Sequence, residues 1–216
     1  MKKTNLILFG AMILIFAQIV SAQTSGTITV SGTDPESFSI TSTTNATLSA
    51  TVVLGTLTPA TGGALTSGTA QIRLRSNKAY NLTAQVSALG FTGAGAIDGG
   101  STIALLDFGF GISSIDATGA NVANPAGHTV VALFSYDPRT VPVTNGLTPY
   151  VPSTHGTLND ITSSTQILSG PRISALGNIS TDNNFILATL AVATLPQYFT
   201  PNTSFSATIT LTIASQ

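Results

Sequence analysis

Apolar and polar residues alternate with a period of two through much of the chain, and the clearest case lies near its end. In Ser204–Ile213, the side chains of Phe205, Ala207, Ile209, Leu211 and Ile213 fall on one face, and those of Ser206, Thr208, Thr210 and Thr212 on the other. Successive strand residues point to opposite faces, so this pattern predicts a strand with one buried and one wet side. Each large inward side chain contributes roughly 1.5–3 kcal/mol when buried. The pattern therefore predicts that the fold is organised around this last strand, docked in its own subunit or in a neighbour's.

The same alternation marks other strands. Ile28 and Val30 alternate in the segment after Gly26, and Phe38 and Ile40 alternate after the Asp34-Pro35-Glu36 break. Leu48, Ala50 and Val52 predict a strand over Thr47–Leu54, ended by Gly55, Pro59 and Gly62-Gly63. Thr69–Ser76 turns Ala70, Ile72 and Leu74 inward and Gln71, Arg73 and Arg75 outward. After Asn77-Lys78, residues Tyr80, Leu82, Ala84 and Val86 return as the second arm of a predicted hairpin.

Gly90–Gly100 reads as a loop, and Thr102–Ile112 as a core-crossing stretch in which Gly109 and Gly111 suggest a bulge or a tight approach. Between Asn121 and Pro171 lie six of the ten prolines and both histidines, predicting a loop-rich elaboration of one end of the domain. Short strands return at Thr129–Phe134 and Gln166–Leu168, and a strong one at Phe185–Thr194, with Pro196 and Pro201 turning the chain into the last strand. No sustained 3.6-residue period follows residue 22. Short strands at near-regular spacing predict an all-β fold: a single Ig-like or jelly-roll-type antiparallel β-sandwich over residues 23–216.

The N-terminus changes the picture of where this domain works. Lys2 and Lys3 precede the apolar run Leu6–Val20, and Val20-Ser21-Ala22 fits a signal-peptidase site. Residues 1–22 are thus expected to be a cleaved signal peptide, with the mature chain starting at Gln23, secreted, periplasmic or on a bacterial cell surface. The run is short of the about 20 residues a membrane span needs, so no stable span is expected. Without Lys2 and Lys3, five basic residues face eight acidic ones. Nucleic acid and anionic membrane partners both require basic clusters and are not expected. The absence of Cys leaves stability to core burial and strand pairing. A surface of Thr, Ser and Asn suits close packing against a neighbour, since few hydrated charges must lose water.

Candidate chemistry is sparse. His128 and His155 lie in loops with Asp137 and Asp160 nearby, without a recognised metal-ligand spacing. Asp98, Asp107 and Asp116 lack a calcium-loop spacing. No Gly-x-Ser-x-Gly elbow occurs. No catalytic, cofactor-binding or metal set is therefore assigned, and an enzyme is not expected. Tyr136, Tyr150 and Tyr198, each beside a proline or two residues from one, are candidate ligand-loop residues for stacking on sugars.

Two stretches carry a family resemblance. Ser67–Leu82, with its Gly-Thr, alternating strand, short turn and Tyr80, is similar to a segment of spore-coat-U-type secreted proteins and related fimbrial subunits. Thr200–Ile213 resembles their closing pattern of turn, aromatic residue and Thr-alternating strand. The family's usual cysteines and terminal tyrosine are absent. The resemblance implies a pilin-like Ig sandwich, exported and assembled with a periplasmic chaperone and an outer-membrane usher. The expected function is a structural or adhesive cell-surface subunit, joined to itself or to other surface subunits by strand exchange. Ile28, Val30, Phe205, Ile209, Leu211 and Ile213 are the candidate assembly residues. The alternative is a secreted ligand-binding module of carbohydrate-binding type.

Overall fold

The computed structural model describes residues 29–57, 65–94, 103–119, 121–141, 154–177, 183–195 and 202–216. The chain divides into two units, Met1–Asp34 and Pro35–Gln216. In the first, residues 29–34 carry no regular secondary structure. Among its described residues the second holds ten strands: β1 (Phe38–Thr41), β2 (Thr66–Ser76), β3 (Tyr80–Val86), β4 (Gly90–Ala94), β5 (Phe108–Asp116), β6 (Thr129–Val130), β7 (Thr165–Gly170), β8 (Ile186–Thr194), β9 (Asn202–Ser206) and β10 (Ile209–Ser215). Short 3-10 turns at Leu105–Asp107, Ala132–Phe134 and Leu158–Ile161 complete the described regular structure. All strand pairings are antiparallel.

Two four-stranded sheets make an all-β sandwich. One has the order β1-β2-β8-β5 and the other β10-β3-β7-β6, while β4 and β9 form a separate pair. The predicted inward faces meet between the sheets. Ile72 and Leu74 of β2 and Leu82, Ala84 and Val86 of β3 are buried, with Phe108, Phe110 and Ile112 of β5 and Ile167 and Leu168 of β7.

The organising strand is β8 rather than the last one. It lies between β2 and β5, pairs with both along most of its length, and buries seven of its nine residues. Its Ala191 and Ala193 are buried opposite Gly111 and Gly109, so small residues line a face that the rest of the chain covers closely. A Cβ on Gly111 would lie 2.7 Å from the Tyr136 carbonyl oxygen and 3.1 Å from that of Phe134. The tight approach expected there is present, and the bulge falls one residue further on, between Ile112 and Ser114.

Further expectations are corrected, among them Thr129–Phe134, of which only Thr129–Val130 is strand and Ala132–Phe134 a 3-10 turn. The Thr69–Ser76 and Tyr80–Val86 stretches are strands, but they do not form a hairpin, because β2 and β3 belong to opposite sheets. The connection at Asn77-Lys78 crosses the sandwich, and the inward alternation of both strands fits either arrangement. Buried Ser76 marks the crossing: its carbonyl accepts from the amides of Ile173 and Ser174, and its hydroxyl donates to the Lys78 carbonyl. Thr47–Leu54 is not a strand. It runs as an irregular segment whose Leu48, Val52 and Leu54 still pack on the core. Gly90–Ala94, expected to be loop, is β4.

Ser204–Ile213 is likewise split into β9 and β10 at Ala207-Thr208. Three residues of the facing β3–β4 stretch, Ser87–Leu89, stand against two here, so the pairing shifts by one residue. Such an irregularity bends a ribbon and resets which side chains face inward. Phe205 therefore packs on the core while Ala207 is exposed.

Candidate functional site

Among the predicted site residues, Ile209, Leu211 and Ile213 come together on β10. They stand opposite Val86, Ala84 and Leu82 of β3 and share their core-facing side. The three β3 residues are buried, whereas the three on β10 are only half-buried. The difference follows from position: β10 is the edge of its sheet and has β3 on one side only. Across the seam β10 lies beside β1, the edge of the other sheet, where Phe38 and Ile40 are half-buried too.

The hydrogen-bond pattern fixes which backbone groups the edge presents. The Ser87 amide donates to the Thr208 carbonyl, and the Gln216 amide to the Ala79 carbonyl. Antiparallel pairs alternate between bonded and non-bonded, so Thr210, Thr212 and Ala214 exchange bonds with β3. The amides and carbonyls of Ile209, Leu211, Ile213 and Ser215 then point away from it, along the open edge. Thus the half-buried apolar side chains and the outward backbone groups belong to the same residues.

Natural edge strands are usually blunted by charge, proline, a bulge or brevity. β10 has seven residues, Ile-Thr-Leu-Thr-Ile-Ala-Ser, with neither charge nor proline. Its whole sheet is uncharged, since β3, β6 and β7 contain no Asp, Glu, Lys or Arg either. The first charged groups lie at its far end, where the Glu36 carboxylate accepts from Lys78 Nζ and from the Ser215 hydroxyl. The hydrogen bond from Lys78 is the main cause holding the Glu36 carboxyl below its usual range.

The opposite seam is closed. The segment after β6 crosses from one sheet to the other: the Val131 amide donates to the Ile167 carbonyl, and the Phe134 ring packs edge-on against Phe110 at 5.8 Å. The Gly156 amide donates to the Leu133 carbonyl, and the Phe110 amide to the Gly156 carbonyl. The described part of the proline-rich elaboration thus covers the β5 edge, whereas among the described residues no strand pairs with the outer side of β10.

The other predicted residues described in the second unit lie elsewhere. Phe205 sits on β9, its ring 5.4 Å from that of Phe108. Val30 is exposed, in the first unit. Ile28, Tyr150 and Tyr198 lie outside the described residues. Tyr136 is half-buried: its hydroxyl donates to the Gly156 carbonyl and its ring lies 4.6 Å from that of His155. Burial pushes its phenol well above the usual range. Such a ring anchors a loop. Of the acids near the two histidines in sequence, Asp137 binds Arg139, and Asp160 accepts from the Thr157 amide and hydroxyl. Among the described residues no three His, Asp or Glu side chains converge on a metal position. No described helix is long and apolar enough to cross a membrane.

Sequence reasoning missed the pairing of Tyr80 with His128 and the outward turn of the β10 backbone. The second had a signal in the unbroken run of uncharged residues from Asn202 to Gln216. Comparison of the chain with family models, characterised proteins and solved structures gives no match.

Proposed function

We propose that this protein is an exported structural or adhesive subunit of the cell surface that assembles by strand addition at the β10 edge. The observation that carries the reading is the order of the sheets. An Ig sandwich of seven strands has A-B-E-D in one sheet and C-F-G in the other. Here β1-β2-β8-β5 follows A-B-E-D, and β3 and β10 stand as C and F. Among the described residues nothing occupies the place of G, which is the open side of β10. A strand added there pairs with the outward backbone of Leu211 and Ile213 and covers their half-buried side chains.

The donor in this reading is the N-terminal segment of another copy, whose Ile28 and Val30 supply an alternating apolar pair. A pilin-like family, with a periplasmic chaperone shielding the edge before assembly, fits the same geometry. Deletion of Gln23–Thr33 tests it. The expected result is loss of higher oligomers in size-exclusion chromatography, with a folded, soluble subunit remaining. Unfolding of the subunit, or oligomers that persist, would rule this donor out. Export is tested by mass spectrometry, with Gln23 expected as the first residue of the mature protein.

A further inference from the structure

On the sheet of β10 the fold also contains a hydrogen-bonded chain that the proposed assembly does not use. Tyr80, at the start of β3, is fully buried, and its hydroxyl lies 3.1 Å from His128 Nδ1. His128 Nε2 lies 2.8 Å from the Asn124 carbonyl oxygen. A carbonyl only accepts, so Nε2 carries the proton and Nδ1 offers its lone pair to the Tyr80 hydroxyl. With the lone pair on Nδ1 the imidazole is neutral, the form that gives the buried Tyr80 hydroxyl its acceptor. Gly170, opposite Tyr80 on β7, leaves room for the contact, since a Cβ there would collide with Nδ1.

We infer that the Tyr80–His128–Asn124 chain is a proton-sensitive latch, which holds the Pro125–Val131 segment on the sheet near neutral pH and releases it in acid. A second proton on the ring must sit on Nδ1, where it faces the Tyr80 O–H. Either the tyrosine proton turns into the core, where no other acceptor binds it among the described residues, or the imidazolium withdraws. Withdrawal also rehydrates a charge that has no carboxylate in contact.

The titratable groups on the surrounding elements do not offset this. Tyr80 is the one that β3 supplies. Asp116, at the end of β5, accepts from the Thr118 amide and hydroxyl. Arg172, after β7, enters only through its carbonyl, which accepts from Asn124 Nδ2. Burial of the ring favours its neutral form, in line with the same tautomer. A cavity of about 330 Å³ lies beside the ring, lined by Ile115, Ala117, Thr118 and Pro125, so the part of the segment before β6 is not closely packed on that side.

Residues on either side of the latch provide internal reporters. The Val131 amide donates to Ile167, beyond the latch, while the Ala123 amide donates to Ile173, before it. Hydrogen exchange on the full mature chain between about pH 7 and pH 5 should show the protection of Val131 falling by up to about tenfold per pH unit between the ordinary histidine value of 6.5 and the lower one of the latched ring. Protection of Ala123 should hold. In His128→Gln the dependence should vanish. In Tyr80→Phe, which keeps the buried ring, it should move to higher pH, because the neutral imidazole loses its donor. Protection of Val131 that stays constant with pH, or falls equally in His128→Gln, overturns the latch. If His128→Gln does not fold, an unmoved midpoint in Tyr80→Phe overturns it instead.

Discussion

Leu211 stands directly opposite Ala84 on the same face of one sheet, yet Ala84 is buried and Leu211 only half-buried. The larger and more apolar residue is the more exposed. In a finished sandwich the reverse holds, because large apolar side chains gain most from leaving water. The inversion follows from the place of β10 at the edge of its sheet, where β3 lies on one side only.

The two faces of β10 should respond differently to charge. Leu211→Asp places a carboxylate against Ala84 and removes apolar contact, at an expected cost of about 2 kcal/mol or more. Thr210→Asp lies on the wet face and should change stability by no more than about 0.5 kcal/mol. Urea unfolding of both variants checks this. Equal effects would mean that the outer face of the sheet is also covered.

Proline separates the open edge from the bonded one. The Ile213 amide points outward, so Ile213→Pro leaves the β3 ladder intact and removes a donor from the edge. Thr212→Pro deletes a ladder bond and should destabilise the subunit by about 3 kcal/mol. The prediction is a folded subunit that no longer forms higher oligomers for Ile213→Pro, and a loss of melting temperature for Thr212→Pro. Oligomers that survive Ile213→Pro would show that β10 is not the acceptor.

Alternation revealed which residues face the core, and it did so well for Ile72, Leu74, Leu82 and Ala84. It carries no information about which strand is the neighbour. For that reason β2 and β3 read as a hairpin although they lie in different sheets. β8 was visible as a strand, but its central place depends on contacts with β2 and β5 that lie far away in sequence. The split at Ala207 was hidden because the extra residue sits in the facing stretch, at Ser87–Leu89. At the candidate site, the uncharged run was legible, whereas edge status is a property of the whole sheet.

Glycine approach distances give a packing test. At Gly111 an added methyl meets two backbone carbonyl oxygens, of Tyr136 and Phe134, which cannot turn aside. Gly111→Ala should cost about 1–3 kcal/mol by overpacking. At Gly68 the nearest atom is Val52 Cγ1, at 2.7 Å, the end of a side chain on an irregular segment. Gly68→Ala should therefore cost less than Gly111→Ala. Thermal melts of the pair decide it, and a Gly68 variant as damaged as the Gly111 one would mean that the 46–57 segment is held as firmly as a strand.

Stability should fall off on both sides of neutral pH, for different groups. Burial of His128 lowers its pKa in the fold from an ordinary value of 6.5. The unfolded chain thus takes up that proton first, and the contribution present above pH 6.5 is lost as pH falls through the folded value. The Asp116 and Asp137 carboxyls are lowered chiefly by hydrogen bonds from the side chains of Thr118 and Arg139. Glu36 is lowered in the same way by Lys78. Their contributions are present above their ordinary values and disappear at still lower pH. On the alkaline side, burial raises the Tyr80 and Tyr136 phenols above their ordinary 10.0. The unfolded chain releases those protons first, so their contribution holds below pH 10 and declines above it. Urea unfolding across this range should give a plateau near neutral pH with a first acid step that His128→Gln removes. Tyr80→Phe should flatten the alkaline decline. A first acid step that His128→Gln leaves in place would assign it to the carboxylates and leave the histidine without a part in stability.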